Sequence, residues 1–165
     1  MADAIALAVV PVSIAHVEAL LEGDDVFTER FGWTVVPGYL DFPEALPATR
    51  DALRNGTPSE WWSQLFIDTD ANELVGFGGY KGAPVDGDVE IGYSIAPSRR
   101  ERGYATEAAR LMIERARAEG CTSVSAHTLA EDNASTRVLR RVGMTRVDEL
   151  TNPDEFPVWR WVLEL

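Results

Sequence analysis

The chain has 165 residues, 45% hydrophobic and 25% charged, a length and balance that fit one folded domain and exclude a disordered chain. A net charge of −12 argues against a general nucleic-acid binder, because neutralising phosphates needs a basic surface. No apolar run approaches the ~20 residues of a membrane span, and the single cysteine, Cys121, excludes an internal disulfide or a multi-cysteine metal site, so no metal is expected.

In chain order, Met1 to Pro11 is apolar, with Asp3 and no basic residue, so it does not read as an export signal. A cytoplasmic setting is the expectation. Ala4 to Val10 is a predicted first strand and Val12 to Glu22 a helix. Phe27 to Pro47, with Gly32, Pro37, Gly38 and Pro43 among aromatics, reads as a loop with short helical pieces, followed by a helix around Ala48 to Arg54 that ends at Asn55-Gly56. Trp61 to Asp68, Glu73 to Tyr80 and Asp88 to Ala96 are strand-like runs between turn-rich segments, as in a three-stranded meander. Tyr104 to Glu119 carries the clearest helical period. Ala105, Ala108, Ala109, Met112, Ile113 and Ala116 make an apolar stripe, with Glu107, Arg110, Glu114 and Arg117 opposite and Gly120 as the stop. Thr122 to Leu129 is a strand, Ala134 to Val142 a second amphipathic helix stopped by Gly143, and Met144 to Leu150 and Phe156 to Leu165 a closing strand pair. This order predicts an α+β or mixed α/β domain over residues 1–165, with one largely antiparallel sheet and a crossover through the long helix.

Charge is unevenly distributed. Arg99 to Arg146 holds ten Arg and six acidic residues, a net of +4, and the remainder holds five basic and twenty-one acidic groups, a net of −16. A basic island in an acidic chain fits one anionic ligand at one place, and the acidic remainder favours a cationic partner. The junction Ile95-Ala96-Pro97-Ser98-Arg99-Arg100-Glu101-Arg102-Gly103-Tyr104-Ala105-Thr106 lies inside this island. Pro97 stops the strand, and Gly103 and Ala105 let a ligand approach the start of the helix, whose first N–H groups lack internal partners. An ordinary strand-to-helix turn with a solvated basic patch is the plainer alternative.

Arg100-x-x-Gly103-x-Ala105 after a strand, followed by Thr106-Glu107-Ala108, resembles the pyrophosphate-binding motif of the GNAT superfamily of N-acetyltransferases. Ala126 to Leu139, ending at Val142-Gly143-Met144, and Glu90-Ile91-Gly92-Tyr93 are similar to the branch that holds the ribosomal-protein N-terminal acetyltransferases. The resemblance implies helices on both faces of the sheet, a parallel strand pair that splays apart, and acetyl-CoA as co-substrate in the gap. It places the pyrophosphate on Arg100, Glu101, Arg102, Gly103, Tyr104, Ala105 and Thr106, the pantetheine amides on the backbone near Ile95, and Asn133 and Ser135 at the thioester end. Asp132 stands where the family's asparagine is usual. Arg140 replaces a tyrosine that many relatives have three residues before the helix-ending glycine, which closes that form of the mechanism.

The implied reaction transfers acetyl to a primary amine, which must first lose a proton. Strand alternation puts Val89, Ile91, Tyr93 and Ile95 on one face and Glu90, Gly92 and Ser94 on the other. Glu90 is therefore a candidate base facing the cleft, or else a solvent-facing strand carboxylate. Ser135 is a candidate donor to the departing thiolate, or else a first-turn helix serine. His127 can assist the amine, although a strand-end histidine is commonly structural. Phe31, Trp33, Tyr39 and Phe42 are candidates to wall an acceptor pocket, with Glu29, Asp41 and Glu44 to attract a cation; core and surface roles compete for each. The acceptor is an amine of a peptide N-terminus or a small molecule, the protein a monomer or homodimer, and neither nucleic acid nor membrane is an expected partner. A non-catalytic acyl-CoA sensor and a different phosphate binder are the competing readings. The second lacks a Gly-x-x-x-x-Gly-Lys-Ser/Thr loop or a full Gly-x-Gly-x-x-Gly.

Overall fold

The computed structural model describes residues 5–151 and 156–165. The elements in order are β1 (Leu7–Pro11), α1 (Ile14–Glu22), α2 (Asp24–Phe31), β2 (Thr34–Val35), α3 (Ala45–Arg54), β3 (Ser63–Asp68), β4 (Glu73–Tyr80) and β5 (Asp88–Ile95). They continue with α4 (Tyr104–Ala118), β6 (Ser123–Leu129), α5 (Ala134–Arg141), β7 (Thr145–Thr151) and β8 (Pro157–Glu164). One mixed sheet runs β1-β3-β4-β5-β6-β8-β7, antiparallel along this path except for the parallel pair β5–β6, with the short β2 parallel to β4. The expected meander is β3-β4-β5.

Helices cover both faces of the sheet. Ser63 and Gln64 are neighbours on β3, so their side chains point to opposite faces. The Ser63 hydroxyl meets Thr49 of α3 at 2.7 Å, whereas Gln64 Oε1 accepts from Arg115 Nη1 of α4 at 3.0 Å. Helix α4 buries Ala108, Ala109, Met112, Ile113 and Ala116, the expected stripe. The Tyr80 hydroxyl on β4 also donates to the Met112 carbonyl at 2.8 Å. Cys121 is a buried free thiol. Trp159 and Trp161 share one face of β8, with ring centroids 6.3 Å apart, and the Trp161 indole donates to Thr128.

Two differences from the expected elements have physical causes. Residues 24–31, read in part as loop, form α2, because Phe27 is fully buried and anchors a short helix that opens on Asp24 and Asp25. Acidic residues suit that first turn. Helix α3 starts at Ala45, so Pro47 lies inside it, in the first turn where a missing N–H leaves no bond unmade. Of the predicted first strand, Ala4 lies outside the described residues. No helix among the described residues is long and apolar enough to cross a membrane.

The feature that positions the site is the way β5 leaves β6. Their pairing covers only Asp88↔Ser123, Val89↔Val124 and Glu90↔Ser125. The Asp88 carboxylate ties this closed end by accepting from Ser123 at 2.7 Å and Ser125 at 2.8 Å. Beyond Glu90 the strands separate: β5 stays with β4 through Ile95, while β6 stays with β8 through Leu129.

Candidate active site

The opened strand edge is one wall of a cleft of about 700 Å³, within the size range of small-molecule sites. The Glu90 carbonyl accepts from Lys81 N–H, and Ala96 N–H donates to Val75, so these peptide groups face β4. Alternation turns those of Ile91, Tyr93 and Ile95 toward the gap. The Ile95 carbonyl there accepts from Arg100 Nε at 3.1 Å. Ser94 also lines the cleft, and its Oγ is buried without a hydrogen-bond partner.

At the cleft's far end the chain turns into α4. Glu101 (φ 62) and Gly103 (φ 88) both adopt the left-handed conformation. For a residue with a Cβ, as at Glu101, this conformation costs roughly 1–2 kcal/mol. Gly103 is the N-cap, and no side chain caps the helix there. The first-turn N–H groups are therefore left for a ligand, at the positive end of the helix dipole. Arg100, Glu101, Gly103, Tyr104, Ala105 and Thr106 line the cleft; the exposed Arg102 is not among its lining residues.

Side chains around this turn brace it. Arg99 sends Nε to Glu73 Oε1 at 3.2 Å and Nη2 to Oε2 at 2.8 Å, so its fork is engaged within the protein. The Tyr104 hydroxyl donates to Asp68 Oδ2 at 2.5 Å. Burial pushes the Asp68 carboxyl up, but the bonds from Tyr104 and from the Ala71 and Asp70 N–H groups outweigh it and leave the carboxyl below its ordinary value. Among the described residues, Arg100 has no ion-pair partner, nor do Arg137 and Arg141 of α5, which also line the cleft. Their four-residue spacing puts them on one helix face, the sequence signal that could have singled them out.

Across the gap Ser135 lies in the first turn of α5. Its Oγ is 3.2 Å from the Tyr93 hydroxyl, which also donates to the Ser135 carbonyl at 3.3 Å. Burial pushes the Tyr93 phenol up to about 12, against a smaller opposing pull from the Ser135 bond, so the hydroxyl keeps its proton. Strand alternation puts Tyr93 with Val89, Ile91 and Ile95, on the face opposite Glu90. The parting of the strands turns that face into a cleft wall. The Asn133 side chain caps α5 by accepting from Thr136 N–H at 3.0 Å, and Asp132 pairs with Arg140 at 3.0 Å.

At the closed end three side chains from separate segments meet. Glu90 Oε2 is 2.5 Å from Lys81 Nζ, and Oε1 is 3.1 Å from His127 Nδ1. Burial pushes the Glu90 carboxyl up, but the bond and charge of Lys81, together with His127, outweigh this and hold it below its ordinary value. No sequence motif links Lys81 to this site. A shallow apolar recess bounded by Trp62, Phe77, Gly79, Lys81 and Gly92 opens beside it. Trp33 instead belongs to an aromatic cluster with His16, Phe27 and Phe31, and Tyr39 is buried in the core; neither lines the cleft. Asp41 does line the cleft, and Phe42 is exposed.

A model of the acetyltransferase (GNAT) domain matches residues 7–145. An uncharacterized N-acetyltransferase, YjdG, of Bacillus subtilis is 34% identical over 107 residues, 62% of this chain and 63% of that relative's length. The structure of RimL, a ribosomal L7/L12 alpha-N-protein acetyltransferase in complex with coenzyme A, superposes with a TM-score of 0.67 at 18% identity, covering 98% of this chain and 96% of that one. A chimera of the spermidine N-acetyltransferase SpeG from Vibrio cholerae and hSSAT does so with a TM-score of 0.69 at 13% identity, covering 96% and 95%. Likeness at these identities is one of fold. With the family model spanning most of the sequence, the chain belongs to the GNAT acetyltransferase family.

Proposed function

We propose that the chain, as one domain over residues 1–165, is an acetyl-CoA-dependent N-acetyltransferase that moves acetyl from the thioester to a primary amine. The observation that carries this is the continuous cleft from the uncapped N–H groups after Gly103, along the open β5 edge, to the Tyr93–Ser135 hydroxyl pair. A long ligand with an anionic end, an amide-bearing middle and a thioester fits that sequence of groups. The pyrophosphate lies against residues 100–106, with Arg137 and Arg141 opposite. The pantetheine amides pair with the β5 edge at Ile95, with Asn133 beside them at the start of α5, and the orphaned Ser94 hydroxyl supplies a further polar contact. Ser135, supported by the proton-retaining Tyr93, donates to the sulfur as it leaves. A thiolate, whose ordinary acid has pKa ~8.5, needs only such a donor.

The acceptor enters at the closed end, from the side of the apolar recess, where Glu90, which is not itself a lining residue of the cleft, meets Lys81 and His127. An α-amine of a peptide or protein is the preferred acceptor, on the branch resemblance of Glu90 to Tyr93 and Ala126 to Met144. A small amine such as a polyamine is the second reading, favoured by the acidic surface and by Asp41 at the cleft. Trp33 and Tyr39 then act only through packing that holds the acceptor loop.

Acetyl-CoA-dependent release of free thiol, measured with separate panels of peptide N-termini, polyamines and aminoglycosides, tests the proposal. Turnover confined to peptides supports the preferred acceptor, and turnover confined to polyamines the second. Saturable acetyl-CoA binding with no turnover on any panel would instead favour an acyl-CoA sensor.

A further inference from the structure

Glu90 is the carboxylate nearest the parting of the strands, yet each of its oxygens already has a cationic or N–H partner. A carboxylate held ionised in this way is a poor acceptor for an ammonium proton. Its neighbour is better placed. His127 lies two residues beyond Ser125, the last β6 residue paired with β5, and alternation puts it on the same sheet face as Ser125. Its side chain is 31% exposed against 22% for Glu90, so the ring is the more accessible group.

We infer that His127 takes the proton from the acceptor amine through Nε2, with Glu90 and Lys81 as positioning residues behind it. This rests on the acetyltransferase reading above. A neutral imidazole has one N–H and one lone pair. With Nδ1 directed at a carboxylate, the hydrogen belongs on Nδ1 and the lone pair on Nε2. Lys81 keeps Glu90 ionised, and the Glu90 charge then stabilises the imidazolium that forms.

Among the described residues, other charged groups also sit on this face: Asp88 accepts from Ser125, two residues before His127, at 2.8 Å. Arg160 of β8 is the register partner of His127, and the Arg160 guanidinium reaches Asp148 of β7 at 3.9 Å, which offsets its charge. On β6 itself the flanking residues of that face are Ser125 and Leu129.

The proton and bond changes balance. The acceptor ammonium gives one proton to Nε2, and its freed lone pair attacks the thioester carbonyl, forming the C–N bond. Collapse breaks the C–S bond, the second nitrogen proton ends on sulfur, and His127 releases its proton to water. Ammonium and thioester become amide, thiol and one solvated proton.

The molecule supplies its own control. It has two histidines, and His16 is built the other way round: its Nδ1 accepts from Ser13 N–H at 3.0 Å, so its hydrogen is on Nε2. The two rings are therefore expected as opposite tautomers.

The test uses the full chain labelled with nitrogen-15, its imidazole spectrum at neutral pH, and pH–rate profiles with a tetrapeptide α-amine and with spermidine. His127→Asn keeps an N–H where Nδ1 stood, and so the Glu90 contact, but has no lone pair at Nε2. The expected result is one Nδ1–H ring that disappears in His127→Asn. In that variant kcat falls about 100-fold, the KM for acetyl-CoA stays within about twofold, and the acidic limb of kcat/KM is lost. Glu90→Gln, which still accepts from Nδ1, should lower kcat by about tenfold. Wild-type-like rate and acidic limb in His127→Asn, or two Nε2–H rings, would overturn the assignment. If no amine turns over, the tautomer alone decides it, and the missing thiol release counts separately against the acetyltransferase reading.

Discussion

The two ends of β5 are built for different work from different materials. At the end near Ile95, the proposed anion site is made of backbone: left-handed residues at Glu101 and Gly103 and an uncapped helix start. The side chains there mostly hold the turn in place, as Arg99 does through Glu73 and Arg100 through the Ile95 carbonyl. At the end near Glu90, the group we propose handles the proton is made of side chains from three separate segments, Lys81, Glu90 and His127. A site made of backbone needs small residues at fixed spacing, and so leaves a local signature. A site made of side chains converging through the fold leaves none.

Changes at each end should separate the two functions. The largest expected effect is from Gly103→Glu, which adds a carboxylate to the anion site and a Cβ in left-handed backbone, 2.8 Å from the tip of Ile5. Acetyl-CoA affinity by calorimetry should fall more than about 100-fold, on the order of 3 kcal/mol, with the far-UV spectrum kept. Midway along the cleft, Tyr93→Phe on β5 and Ser135→Ala on α5 should each lower kcat by about tenfold. The double variant should lose less than the product of the two, because the hydroxyls share one hydrogen bond. A fully multiplicative loss would mean that they act independently. Glu73→Gln, which frees the fork of the cleft-lining Arg99 although Glu73 is not itself a lining residue, should change acetyl-CoA affinity only about threefold.

The smallest expected effect is on stability. The Glu90 carboxyl titrates below its ordinary value in the folded chain, so its ion pairs contribute stability fully present above the ordinary carboxylate range. That contribution is lost as pH falls through the folded value. Tm should therefore decline less steeply with acidification in Glu90→Gln than in the wild type, and equal slopes would remove this stabilising role.

Most of the fold was legible because its signals are local. Strand alternation in β5, the apolar stripe of α4 and the turns between β3, β4 and β5 can each be read within a short window. Helix α2 was less so, since one buried residue, Phe27, holds it, and β2 exists only through its pairing with β4. In the site, the Gly103 turn was legible from spacing. Tyr93 was readable as one face of β5 and as part of the Glu90-Ile91-Gly92-Tyr93 resemblance, but nothing in its neighbourhood reveals its bond to Ser135 or that β6 departs just after Ser125. Lys81 is a lone turn lysine in sequence and meets Glu90 only after the β4–β5 hairpin closes.

The most direct test of the central claim, that the gap between β5 and β6 is the acetyl-CoA site, is a titration of nitrogen-15-labelled protein with acetyl-CoA, followed by backbone amide shifts. Saturable changes should concentrate on residues 100–106, on Tyr93 and Ile95, and on Asn133 and Ser135, with little change in α1 or α2. Absence of saturable shifts, or shifts centred away from this gap, would contradict the account.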